Sequence, residues 1–253
     1  MPSKLANSLL FLWASLISAL ISTLAFISIL ANEKSGTGKS KRKKTTAFLA
    51  DEQRALTFYN VFSALYDRVN PYLYTSQMRN QILELMNNNH RISILDAGCG
   101  TGYTTKGILE RTDAEIVIGI DMNRKQLKKA RAKLRAERKK LSLFRADVEN
   151  LPFNDGVFDA VVSVGAVEYF PNPEAAFREM RRVVRSEGKI VIGGPVLDWF
   201  RRIYLDHVFY TPSKDELQTL FKQVGLRKVK SLLTGVDTFL GTKEYVVAIA
   251  GTK

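Results

Sequence analysis

Cysteine and histidine are almost missing from this chain of 253 residues. The single thiol, Cys99, permits no intrachain disulfide, which suits a reducing compartment. Its position inside a glycine turn suits a small buried residue better than a nucleophile. His90 and His207 are the only imidazoles. With one thiol they do not make a His/Cys metal cluster, and no metal is expected. Internal repeats are absent too. Negative charge is scarce: 25 acids stand against 38 Lys and Arg, a net charge of +13. That balance points to contact with nucleic acid or an anionic membrane surface. Apolar residues make up 45% of the chain, enough for a full core. The length fits one ordinary domain plus an appendage.

Charge vanishes from Leu5 to Ala31, and Leu9 to Leu30 is almost wholly apolar. A 22-residue helix there would span about 33 Å, the thickness of a bilayer's hydrocarbon core. A cleaved signal peptide is the rival reading, but its charge normally precedes a shorter apolar run. Here only Lys4 precedes the run, whereas Lys34, Lys39, Lys41, Arg42, Lys43 and Lys44 come after it. The positive-inside rule then keeps the C-terminal side of the run in the cytoplasm. Residues 5–31 are therefore expected to be a single-pass signal anchor. Residues 32–46, rich in Gly, Ser, Lys and Thr, read as a solvated basic linker facing anionic headgroups, at roughly 1 kcal/mol per basic residue near the surface. Residues 47–89 show helical spacing twice, at Phe58, Val61, Phe62, Leu65 and Val69 and at Met78, Ile82, Leu85 and Met86. They read as two helices joined at Asn70-Pro71, either a packing extension or a lid. Residues 90–253 form the main domain.

Strands and helices alternate through that domain. Strands are expected at Ser93–Asp96, Glu115–Asp121, Leu141–Asp147, Phe158–Val164, Gly188–Gly193, Leu226–Leu233 and Tyr245–Ala250. Helices are expected at Thr104–Arg111, after an Asn123 cap, at Glu174–Val184, and from a Ser213/Glu216 capping box to Gly225. The pattern implies an α/β fold with a doubly wound, mostly parallel sheet of seven strands. Arg124 to Lys140 holds ten basic residues and one acid, Glu137, around a stripe of Leu127, Ala130, Leu134 and Leu141. This is a solvated outer face or a second contact with headgroups or nucleic acid. No aromatic side chain interleaves with its charges, against single-strand stacking.

The most informative stretch is Ile94-Leu95-Asp96-Ala97-Gly98-Cys99-Gly100-Thr101-Gly102. An apolar strand meets an acid, then three glycines at alternate positions, then a helix. Glycine there lets the chain turn sharply and approach a ligand without a Cβ in the way. Tyr103 stands where a dinucleotide enzyme would have its third glycine. The stretch resembles motif I of the class I S-adenosylmethionine-dependent methyltransferases, which implies a Rossmann-like fold and S-adenosyl-L-methionine as cofactor.

On that resemblance, Gly98, Gly100 and Gly102 form the donor's cradle and Asp96 holds the loop beneath it. Asp121, 19 residues after Gly102, ends the second strand where an acid accepts both ribose hydroxyls; its bland alternative is a helix N-cap. Asp147 would accept from the adenine amine, or serve as a turn acid before Pro152. Met122 and Val148 would wall the base. Methyl transfer needs an activated donor held in line with a nucleophile away from water, with no metal or covalent residue.

Further segments are similar to the quinol C-methyltransferases. Phe58-Tyr59-Asn60-Val61-Phe62-Ser63-Ala64-Leu65-Tyr66-Asp67, with Asn70-Pro71 and Met78-Arg79, resembles their segment before motif I. Ser163-Val164-Gly165-Ala166-Val167-Glu168-Tyr169-Phe170-Pro171-Asn172-Pro173 and Ile192-Gly193-Gly194-Pro195-Val196 resemble the 2-methyl-6-phytylbenzoquinol branch. The resemblance runs from Phe58 to Val229. It implies C-methylation of a prenylated, lipid-soluble quinol, with Glu168 or His207 as candidate base and Tyr66 and Tyr169 at the substrate. Glu168 could instead pair with Arg178 or Arg182, and His207 could merely pack. Phospholipid N-methylation, thiol or oxygen methylation of a small molecule, and a catalytically idle cofactor-binding membrane protein stand as alternatives. Ser163-Val164-Gly165-Ala166 occupies the place of an Asn/Asp-Pro-Pro-Tyr amino-methylating motif, which disfavours nucleic acid as acceptor.

Overall fold

The structure is a computed structural model that describes residues 76–86, 93–196, 212–237 and 243–253. The expected anchor and linker, and the first of the two lid helices, lie outside the described residues. Among the described residues no helix is long and apolar enough to cross a membrane.

The order of elements is α1 (Ser76–Glu84), β1 (Ser93–Ala97), α2 (Tyr103–Arg111), β2 (Ile116–Asp121), α3 (Arg124–Lys133), β3 (Leu141–Arg145), β4 (Phe158–Val164), α4 (Pro173–Val183), β5 (Val184–Val196), α5 (Lys214–Gln223), β6 (Arg227–Asp237) and β7 (Lys243–Thr252). Short 3-10 turns sit at Arg135–Glu137 and Val167–Tyr169. One sheet of seven strands has the order β3-β2-β1-β4-β5-β7-β6. The first five strands pair in parallel, while β7 runs antiparallel to both β5 and β6. The expected doubly wound, mostly parallel sheet is present.

Two cores explain why these strands read as continuous apolar runs. Successive side chains of a strand point to opposite faces. Leu95, Val161, Ile190 and Ile192 enter one core with Phe177 and Met180 of α4 and Phe221 of α5. Ile94, Ala160, Val162 and Val191 enter the other with Ile82 and Leu83 of α1 and Ile108 of α2. A strand sandwiched in this way has no polar face to show. Phe177 and Phe221 meet edge to face with centroids 5.4 Å apart, a geometry worth about 0.5–1.5 kcal/mol beyond burial. The lid's second helix is thus a packing element: Ile82 fills the space above Gly193, where an added Cβ would come within 2.5 Å of its Cδ1.

Local signals set most boundaries. The Asn123 side chain accepts from the Lys125 and Gln126 N–H groups and starts α3. Asn172 accepts from the Ala175 N–H at 3.2 Å, with Pro173 at the first position of α4. Ser213 and Glu216 form the expected capping box. Several boundaries differ, β6 and β7 among them, which run on to Asp237 and Thr252. α3 stops at Lys133, so Leu141 belongs to β3 and not to the helical stripe of Leu127, Ala130 and Leu134. β3 ends at Arg145, which leaves Asp147 past the strand in a turn whose carbonyl accepts from the Asn150 N–H at 3.2 Å. β5 runs from Val184 to Val196, past the expected Gly188–Gly193 at both ends, and takes in Pro195, a residue disfavoured inside a sheet.

Candidate active site

Between β1 and β4 the winding of the chain reverses. One half of the sheet proceeds from β1 to β2 and β3, the other from β4 to β5. Such a reversal leaves a crevice at the carboxyl ends of the strands. The glycine turn closes it on one side. The Gly98 and Cys99 N–H groups both donate to the Ile120 carbonyl, at 2.9 and 2.8 Å. Gly98 holds a φ of 78°, and an added Cβ would lie 2.5 Å from the Ala166 Cβ. The turn is therefore pressed between the end of β2 and the loop after β4, at a spacing only glycine permits. Gly102, with φ 85°, starts α2 without a side-chain cap.

Asp121 ends β2 and faces this turn. Its Oδ2 accepts from the Gly100 N–H at 2.9 Å and its Oδ1 from the Asn123 N–H at 2.7 Å. It is therefore not the side-chain cap of α3, a part taken by Asn123. A carboxylate offers about four lone-pair sites, so two remain for further donors such as vicinal hydroxyls. Burial pushes its carboxyl up to about 6, and the two N–H groups restrain the rise.

Asp96 lies fully buried beneath the turn. Its Oδ2 accepts from the Thr105 hydroxyl at 2.6 Å, which ties β1 to the first turn of α2. Its Oδ1 has no partner among the described residues. Burial raises the carboxyl to about 7, with the Thr105 hydroxyl opposing and the Asp121 charge adding. Burial and the same two acids push the Cys99 thiol well up, so it stays protonated and is no nucleophile.

Across the crevice the chain leaves β4 through Gly165 and enters the turn Val167–Tyr169. Glu168 on that turn is 5% exposed. Its Oε1 lies 2.8 Å from where a Cβ on Gly194 would sit, and its Oε2 is buried without a partner among the described residues. Burial lifts this carboxyl to about 7. The surface ion pair weighed for it is not made. Arg178 binds Glu174 at 2.6 Å, and Arg182 binds Glu179 and Asp155, each at 2.8 Å. Tyr169, half-buried, is next on the same turn.

The segment after β3 supplies the third wall. Met122 is half-buried, and its carbonyl accepts from the Arg145 Nε at 3.0 Å. The half-buried Asp147 accepts from the Glu149 N–H at 2.9 Å. Val148 is buried and belongs to the larger core. α4 straps this loop down. Glu179 accepts from the Leu151 N–H at 2.8 Å, while Arg182 donates to the Leu151 and Phe153 carbonyls at 2.9 and 2.7 Å. Glu149 accepts from the Asn172 N–H at 2.6 Å.

The structure thus brings Asp96, the three glycines and Asp121 to one crevice, with Glu168 reached through the contact of Ala166 with Gly98. His207 and Tyr66 lie outside the described residues. Sequence reading missed Thr105, Gly194 and Arg79. Thr105 was findable in part, because a buried acid needs a donor and the first turn of the next helix carries hydroxyls at Thr104 and Thr105. Arg79, only 8% exposed, carries its guanidinium carbon 5.1 Å from the centre of the Tyr103 ring. The Lys133 Nζ lies 3.4 Å from the same centre. Nothing in the pattern of residues announces these pairings. Among the described residues no group of His, Cys, Asp and Glu is placed to hold a metal ion.

A Rossmann-like sheet of this order, with a glycine turn on an acid at the end of the next strand, defines a nucleoside-binding domain. Residues 95–192 match the methyltransferase domain family. That region is a methyltransferase domain, and its cofactor is S-adenosyl-L-methionine. It is 35% identical over 202 residues to the chloroplastic 2-methyl-6-phytyl-1,4-hydroquinone methyltransferase 2 of Oryza sativa, which covers 78% of this chain and 58% of that protein. The chain therefore spans less than two thirds of that relative. It is 28% identical over 183 residues to the ubiquinone/menaquinone biosynthesis C-methyltransferase of Citrifermentans bemidjiense, covering 59% of this chain and 78% of that one. The phosphoethanolamine N-methyltransferase 2 of Haemonchus contortus, solved with S-adenosyl-L-methionine, superposes with a TM-score of 0.62 at 14% identity, over 81% of this chain and 59% of that one. At that identity the likeness shows the fold alone.

Proposed function

We propose that this protein transfers a methyl group from S-adenosylmethionine to a ring carbon of a prenylated quinol, from the cytoplasmic side of a membrane that residues 5–31 anchor it to. The carrying observation is Glu168, a buried carboxyl with a free oxygen on the turn whose Ala166 abuts the glycine cradle. Names of relatives that act on hydroquinones support the substrate class.

The residues present fit the donor. The glycine turn leaves room for its backbone approach, and Asp121 keeps two lone-pair sites for the ribose hydroxyls. Asp147 and Met122 are the residues we assign to the base. When bound, the donor supplies a methyl group already activated on a sulfonium; the new C–C bond forms as the C–S bond breaks. Glu168 takes the proton of a quinol hydroxyl, which raises electron density on the ring. A carboxyl held near 7 is matched to that transfer at neutral pH. The ring hydrogen at the methylated carbon leaves last as a proton, so one proton is released per turnover. Tyr169 on the same turn lines the acceptor's side. Tethering raises the local concentration of a substrate that never leaves the bilayer.

Incubation of the full chain with methyl-labelled donor and a total lipid extract tests this. Label is expected in the quinone fraction. Label confined to phospholipid headgroups would replace the reading with phospholipid N-methylation, and donor binding without turnover on any lipid would leave a cofactor-binding scaffold.

A further inference from the structure

The basic cluster of residues 124–140 is left unexplained by donor and quinol. α3 buries Leu127, Ala130 and Gln126, and Leu134 just beyond it, against the domain. Nearly all its basic side chains project outward, and the 3-10 turn at Arg135–Glu137 carries the field on to Lys140. Arg124, Lys128, Arg135, Arg138, Lys139 and Lys140 make no side-chain hydrogen bond or ion pair among the described residues. A fold that needed these cations for its own stability would pair some of them. Six unpartnered cations with one acid among them instead repel one another, which is tolerable only in water or against an opposite charge.

Two exposed apolar side chains border this field. β3 is the edge strand of the sheet, and its Phe144 is 47% exposed. Arg131 donates to the Leu143 carbonyl at 2.8 Å, so a guanidinium stands one residue from that ring. Ile116 is 55% exposed at the start of β2, and its neighbour Val117 donates to the Lys140 carbonyl at 2.7 Å. Phe144 thus follows the residue that Arg131 binds and Ile116 precedes the one that binds Lys140, and both side chains leave the sheet on the face of Ile118 and Ile120.

We infer that α3, the turn after it and the β3 edge form a docking face for an anionic lipid surface. Cations meet the headgroups while Phe144 and Ile116 enter the boundary with the acyl chains. A phosphodiester backbone would satisfy the cations but offers nothing to Ile116. The face begins at Arg124, three residues past Asp121, so docking brings the bilayer surface to the rim of the crevice. The inference goes beyond the methyl acceptor and stands whichever lipid is methylated.

Lysine acetylation mapped by mass spectrometry tests it on the full chain, in vesicles of phosphatidylcholine alone or mixed with phosphatidylglycerol. The N-terminal apolar run binds both vesicles, so the difference between them reads the docking face. Lys128, Lys139 and Lys140 are expected to label several-fold more slowly on the anionic vesicles, with protection lost in high salt. Lys106 and Lys214, exposed on other helices, serve as internal references. The combined variant Lys128→Glu, Lys139→Glu, Lys140→Glu is expected to lose the protection of Lys125 while donor binding by calorimetry is unchanged. Equal labelling on the two vesicle types would overturn the inference. So would protection that appears only with added RNA, which would make this a nucleic-acid face. Failure of quinol turnover would leave the labelling pattern untouched, so the two proposals fail separately.

Discussion

Glu168 concentrates the chemistry into one side chain. Among the described residues it is a carboxyl with no cation, no donor on one oxygen, and a glycine beneath the other. Only its ionised form can accept a proton, so kcat is expected to rise with pH through about 7 and level off above, following its raised carboxyl. Glu168→Gln keeps the shape and removes the base. It is expected to lower kcat by roughly 100-fold or more, to flatten that profile, and to leave donor affinity unaltered. A variant retaining the wild-type pH profile would remove Glu168 from the mechanism. Glu168 was legible in sequence as a candidate, because it comes just after a strand end and lies in a family-like segment. What makes it a base, its isolation from Arg178 and Arg182, was not, since those arginines find their partners on α4 and in the loop before β4.

Elements explain how the third wall is held. Arg182 leaves α4 to bind two carbonyls of the 151–153 loop, with Glu179 alongside it accepting that loop's N–H. Arg182 is a positioning residue for Asp147 and its neighbours. Arg182→Ala leaves two carbonyls and two acids, Glu179 and Asp155, without their donor, at about 1–3 kcal/mol for the set. The expected result is a raised KM for the donor with kcat little changed, measured by initial rates at saturating acceptor; a fall in kcat alone would show that the strap acts elsewhere. Strand positions and two helix caps were readable because burial on both faces leaves continuous apolar runs, and because Asn123 and Ser213 sit at helix starts. Length was harder. β5 extends through Pro195, since pairing with β7 overrides its local preference. Leu141 fell into step with the α3 stripe by coincidence of spacing across a helix end.

For the whole molecule, the buried Asp96 and Glu168 and the half-buried Asp121 carry a stability cost that depends on pH. Asp96, Asp121 and Glu168 each have a folded carboxyl raised above its ordinary range. The folded state then binds more protons than the unfolded state between about pH 4 and 7, so their contribution is present in acid and lost as pH rises through 6 to 7. Glu168→Gln removes one such acid. It is expected to raise Tm at about pH 8, where the native carboxylate is charged, and to change little at about pH 5, where it is neutral. Scanning calorimetry at both values checks this, and a variant less stable than wild type at the higher pH would contradict the buried, unpaired state of Glu168. The sequence announced the acids; their mutual burial arises only when β1, β2 and the turn after β4 meet at the reversal of the sheet.

Calorimetric titration of S-adenosylmethionine into the full chain, beside Asp121→Ala, bears most directly on the crevice at the ends of β1 and β2. Saturable binding is predicted, weakened roughly 10- to 100-fold by loss of the charge-assisted contacts of Asp121. No heat of binding in the wild-type protein, or equal affinity in both, would contradict a donor site gripped by the glycine turn and that carboxylate.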